Sequence, residues 1–290
     1  MIHKSQKKQT DTLRHQVFFI ALAAAVMLYG SFLLAQLLII RPLSVMPDSG
    51  WKQLCYAFLP FLPVFLSVNL FTRFAEPEIF TSFAPSKKNG MQGNTGRAAI
   101  MGLVAGTGLN LGCAVVPAVH GDYSLAYNGL YPLFMVLAFT AVMLQSAAEE
   151  LLFRGYVMGA LRERYGPVFA VLVNPLLFML AHTANSGVTP VSLLTAYVFG
   201  FCLSILLYSL DSIWFVILAH AGWNFTQNLL LGLPNSGLVV SQSVFRLNPG
   251  AVSGLWYDTA FGLEGSITPI FLWPLLTFVI VLLRIRKSKQ

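Results

Sequence analysis

Two adjacent glutamates, Glu149 and Glu150, stand inside the apolar run Ala147-Ala148-Glu149-Glu150-Leu151-Leu152-Phe153-Arg154. Ionisable groups at membrane depth are costly to hold and face a cavity, a partner or a reaction. On a helix Glu150 and Arg154 are four apart and share a face, so the guanidinium pairs with that carboxylate and lowers the cost of burying it. Two neighbouring carboxylates in low-dielectric surroundings resist ionising together, which poises one of them as a general base near neutral pH. A purely structural Glu-Arg clamp accounts for one glutamate and leaves Glu149 unexplained. Phe178 and His182 also lie four apart, as do His220 and Asn224. A His-Asn face orients a water and donates hydrogen bonds to a developing oxyanion. Taken alone, each pair also reads as an interfacial or interhelical polar contact.

These groups need elements that carry them into a membrane. The chain has 290 residues, 56% of them hydrophobic and only 10% charged, with a mean hydropathy of +0.70. Soluble domains carry about 25% charged residues, so the fold class expected is all-α, a polytopic membrane helix bundle. At about 20 residues per crossing the apolar segments number about eight: 16–40, 53–72, 98–119, 131–161, 167–186, 190–209, 212–232 and 267–284. The first is too long for a signal-peptide core and reads as an uncleaved span.

Charge supports this count. With the N-terminus and its Lys4, Lys7, Lys8 and Arg14 in the cytoplasm, Arg73, Lys87, Lys88, Arg97, Arg162, Arg164, Arg284, Arg286, Lys287 and Lys289 fall on the same side, and only Arg41, Lys52 and Arg246 opposite. The bias predicts an even number of spans with both termini cytoplasmic. The net charge of +7 therefore reflects topology and attraction to anionic lipid rather than nucleic-acid binding. Cys55, Cys113 and Cys202 sit singly in apolar segments and read as buried small hydrophobes.

Three regions follow: N-terminal helices with a cytoplasmic loop (1–130), a core carrying the polar motifs (131–232), and a non-cytoplasmic loop with the last helix (233–290). The 232–266 connection, rich in Gly and Pro, either caps the outer face, dips back into the protein or is a plain solvated connector. At 1.5 Å rise per residue, Glu149 lies about 20 Å from Arg162, His182 about 22 Å from Pro167 and His220 about 14 Å from Asp211. The three groups are thus expected to meet near mid-membrane. His3, His15 and His120 fall outside that layer.

Glu149-Glu150 with Arg154, Phe178 with His182, and His220 with Asn224 together resemble the three motifs of the CAAX prenyl protease 2 family, the CPBP or Abi intramembrane proteases, over about 130–231. The runs Gly232-Leu233-Pro234-Asn235-Ser236-Gly237 and Phe261-Gly262-Leu263-Glu264-Gly265 resemble its bacterial members. The resemblance implies an endopeptidase with its site in a cavity open toward the cytoplasm. In it Glu149 activates water, aided by His182, His220 and Asn224 stabilise the oxyanion, and Glu150, Arg154 and Phe178 support the site.

No cofactor is expected. The H-E-x-x-H zinc motif is absent, yet Glu149, His182 and His220 from separate helices remain a candidate three-ligand zinc set. The partners expected are membrane lipids and a protein or lipidated peptide substrate, without nucleic acid. The location expected is the cell membrane, multi-pass, and the inner membrane in a Gram-negative cell. Two other classes stay open: a non-enzymatic immunity or binding factor, and a proton-coupled transporter, the latter weakened by the absence of visible repeats.

Overall fold

The computed structural model describes residues 16–85 and 92–288. Lys4, Lys7, Lys8, Arg14, Lys87, Lys88 and Lys289, used above to orient the chain, lie outside them. Among the described residues seven helices are long and apolar enough to cross a membrane: α1 (Val17–Ser44), α2 (Gly50–Ala75), α4 (Gly96–His120), α5 (Pro132–Tyr165), α6 (Pro167–Ala184), α7 (Pro190–Leu210) and α9, whose apolar part is Thr268–Arg286. Short α3 (Pro77–Ser82) joins α2 to α4. The starts follow from local chemistry. Pro opens α5, α6 and α7, where its missing N–H costs no helical bond. Thr95 caps α4 by accepting from Ala98 N, and Thr189 with Ser192 forms a capping box on α7.

The eighth span expected over 212–232 is a helix, but not an apolar one. Its first part, α8 (Ile213–Phe225), is capped by Ser212 and runs on through a π-helical turn, Thr226–Leu230. His220, Asn224, Thr226, Gln227 and Asn228 make it too polar to pass as a crossing helix by composition, and all five are buried. Segment ends also shift: the second helix begins at Gly50 rather than 53 and bends at Leu59 and Pro60, while the fourth runs on to Tyr165.

α4 and α8 approach at backbone distance. A Cβ on Gly102 or Gly106 would run into the carbonyls of Phe215 and Ala219, and one on Gly222 would lie 2.7 Å from the Leu103 carbonyl. Small residues spaced four apart allow such crossings where lipid supplies no hydrophobic drive. Because Ala219 precedes His220, this crossing sets the depth of the histidine. Gly106→Ala is expected to cost about 1–3 kcal/mol by overpacking, read as a lower unfolding temperature in detergent.

The 231–267 connection is built into the bundle. Asn228 donates to the Leu233 and Leu238 carbonyls, Gln227 Nε2 donates to the Pro234 carbonyl at 2.6 Å, and Gln227 is itself engaged by Asn110 of α4. A Cβ on Gly262 would strike the Pro234 carbonyl, so the strand of loop beside it needs glycine there. A two-stranded antiparallel ribbon, β1 (Leu125–Tyr127) with β2 (Phe245–Leu247), ties the connection to the segment before α5. Of the three readings above, the loop dips back into the protein.

Candidate active site

Consecutive helical residues diverge by about 100°, and this separates the two glutamates. Glu150 is fully buried and turns into the bundle, where its Oε1 accepts from Arg154 Nη1 at 3.0 Å and lies 2.8 Å from His220 Nδ1. Arg154, 2% exposed, spreads over the Phe178 ring, 4.2 Å from guanidinium carbon to centroid. A carboxylate only accepts, so His220 carries a proton on Nδ1. This ion pair joins α5 to α8 at the start of a π-helical stretch, Leu151–Val157, a distortion that gathers at functional sites.

Glu149 turns the other way, into a cavity. Its Oε1 accepts from Gln145 Nε2 at 3.0 Å, while its Oε2 takes no hydrogen bond from the protein. Gln145 Oε1 in turn accepts from Asn224 Nδ2 at 3.2 Å, which leaves Asn224 one further N–H to donate. His182 sits at the C-terminal cap of the α-helical part of α6. Its Nδ1 donates to the Phe178 carbonyl at 2.9 Å and its ring packs on Phe178 at 4.4 Å. Both histidines thus keep Nε2 clear of these contacts. Glu149, His182, His220 and Asn224 all border one cavity of about 220 Å³, together with Phe178, whereas Glu150 and Arg154 lie behind its wall.

The direction of the cavity differs from expectation. Arg73, Arg97, Arg162, Arg164, Arg284 and Arg286 stand at one end of the bundle by helix order, where Trp214 Nε1 donates to the Phe83 carbonyl. From Glu150 toward that end the chain is packed: Leu151 through Met158 are all buried. The cavity is walled instead by Asn185 and Ser186 after α6 and by Asn235 to Leu238 and Glu264 of the folded-back connection. It therefore reaches toward the end away from the arginines. The resemblance implies a cavity open to the cytoplasm and the charge bias expects the arginine-rich end there, but the cavity does not open toward that end.

A family model described as type II CAAX prenyl endopeptidase Rce1-like matches residues 131–226. The chain carries an Rce1-like domain. Searches against curated proteins and solved structures gave no match. The Rce1-like domain spans α5 to the start of the π-helical turn after α8, and so contains every motif residue named above. The match covers about a third of the chain, and that segment, held in a multi-pass helical bundle, is similar to a type II CAAX prenyl endopeptidase.

Several residues that touch the site were not singled out from sequence. Gln145, one turn before Glu149, fell outside the quoted motif although it is a polar residue in an apolar helix on the same face. Glu264 lies outside the Rce1-like domain. Its Oε1 accepts from Trp223 Nε1 and Asn235 Nδ2, both at 2.9 Å, and its Oε2 accepts from the Ser236 backbone N–H and hydroxyl. Asn235 Nδ2 also reaches Asn224 Oδ1 at 3.3 Å. Its sequence signal was its place in the Phe261–Gly265 run that resembles bacterial members, to which no role was given. Glu264→Ala strands these donors and is expected to cost about 1–3 kcal/mol, measured by thermal unfolding.

The candidate zinc set does not assemble. Among the described residues no three His, Cys, Asp or Glu side chains come close enough to hold an ion, so Glu149, His182 and His220 border one cavity without forming a ligand sphere.

Proposed function

We propose that this protein, in the cell membrane, hydrolyses a peptide bond of a membrane-associated or lipid-linked protein by a metal-independent reaction in which Glu149 activates the attacking water. The observation that carries the reading is the division of labour between the paired glutamates: Glu150 is tied through Oε1 to Arg154 and His220 behind the cavity wall, whereas Glu149 borders the cavity, its Oε1 held by Gln145.

Glu149 Oε2 takes a proton from water as the oxygen bonds to the scissile carbonyl carbon. The oxyanion formed is met by the free N–H of Asn224 and by an N–H at His220 Nε2, the ring being held in place by the Glu150 carboxylate at Nδ1. The C–N bond then breaks as the amine leaves with the proton that Glu149 had taken. His182 Nε2 orients the water. No metal is needed in this sequence.

The test is peptide cleavage in proteoliposomes by the wild type and by Asn224→Asp, with a prenylated CaaX peptide and a panel of membrane peptides. Asn224→Asp keeps shape but removes the N–H donors, and is expected to lower kcat about a hundred- to a thousandfold with a smaller change in KM. Wild-type cleavage abolished by chelators and restored by zinc alone would overturn the metal-independent mechanism.

A further inference from the structure

We infer that the cavity takes its substrate from the non-cytoplasmic side of the membrane, the substrate being a neutral or basic peptide segment that borders the outer leaflet in an exported or membrane-anchored protein. The inference rests on the proteolytic reading above and adds to it the compartment and the chemistry of the substrate.

Two observations meet. The first is charge. Of the 18 Lys and Arg residues, Arg41, Lys52 and Arg246 belong to the end where the 231–267 connection folds in, and Arg154 is buried. Among the described residues the other basic groups, Arg73, Arg97, Arg162, Arg164, Arg284, Arg286 and Lys287, belong by helix order to the opposite end. Basic residues near helix ends stay in the cytoplasm, so the folded-back connection faces outward.

The second is the position of the cavity along the bundle. Glu149 lies 13 residues from Arg162 on α5, about 20 Å at 1.5 Å per residue, in a hydrocarbon layer of about 30 Å. By the same measure Glu149 lies 17 residues, about 26 Å, from Pro132, so the reacting carboxylate is near the middle of the span. From there Gln145 and Asn224 lie one turn outward, followed by Asn235 and Glu264. Ser186 and Leu238, both exposed, bring the lining to the surface of that end. Inward, Arg154, Phe153, Tyr156 and Val157 close the way.

The lining also sets the substrate chemistry. Its carboxylates are Glu149 and Glu264, and it contains no Lys or Arg, so an acidic segment meets like charge while neutral or basic segments do not. Phe32, Phe61, Phe199 and Trp273 supply apolar and aromatic walls for a segment that leaves the bilayer.

The experiment uses the full chain in intact cells of an expression host. In a Cys55→Ser background, Val252→Cys at the connection and Tyr165→Cys at the arginine-rich end are each treated with a membrane-impermeant maleimide. The expected result is labelling of Val252→Cys in intact cells and of Tyr165→Cys only after permeabilisation. In parallel, single-span reporters present neutral, basic or acidic segments at either the outer or the inner membrane border. Release of the tag is expected from outer neutral and basic segments, at least tenfold above outer acidic ones, and to vanish with Glu149→Gln. The reverse labelling pattern, or release confined to inner-border reporters, overturns the inference while the protease reading stands. Correct labelling with no release from any reporter or prenylated peptide overturns the protease reading, and the substrate assignment with it.

Discussion

Glu149→Gln is expected to lower the rate of peptide cleavage by about a hundred- to ten-thousandfold, the usual contribution of a positioned general base. The amide keeps the size of the carboxyl and keeps an oxygen for Gln145 to donate to, so the fold is expected to survive. A thermal unfolding curve superimposable on the wild type, together with the loss of turnover, checks both halves. Glu150→Gln makes the useful contrast. It keeps an acceptor for Arg154 and His220 but removes the charge between them, so it is expected to lower both stability and activity. If Glu149→Gln cleaved peptides at the wild-type rate, the assignment of the base would fail.

Arg154→Met is expected to destabilise the protein by about 3–5 kcal/mol, because it leaves the Glu150 carboxylate buried with only His220 beside it. The paired change Glu150→Leu with Arg154→Met is expected to recover most of that loss, since two well-packed apolar side chains carry no desolvation cost in the interior. It is not expected to recover catalysis, as His220 then lacks the acceptor at Nδ1 that sets its tautomer. Equilibrium unfolding of the single and double variants in one detergent measures the coupling. Additive losses would place the Arg154 contribution elsewhere, in its stacking on Phe178.

The glutamate pair and the i,i+4 spacings were legible because helix periodicity alone brings Glu150 beside Arg154 and Phe178 beside His182. That His220 joins Glu150 from 70 residues away was not legible: it depends on the α4–α8 crossing, where glycines on one helix meet backbone carbonyls of the other. The eighth helix was read correctly as a helix and wrongly as apolar. Its second half turns Asn224, Gln227 and Asn228 inward to hold a loop, a partner that hydropathy does not register.

Glu264 shows the same limit from the other side. An acidic residue between glycines has no periodicity to place it, and only the fold-back of the connection brings it to Trp223 and Asn235. The direction of the cavity was expected from the resemblance alone. Distances along single helices give the depth of the polar groups, but which end opens depends on what fills the space on either side of them.

By itself the sequence determined what local chemistry determines: a membrane bundle, because an apolar run of crossing length must satisfy its own backbone as a helix, the charge bias between its two ends, and the residues able to move a proton. The tertiary structure decided which glutamate is tied and which borders the cavity, and that the cavity lies toward the end away from the arginines. Those outcomes depend on contacts between helices far apart in the chain and on a loop that returns into the bundle, and such contacts are set by packing and by the pairing of buried polar groups rather than by any local spacing.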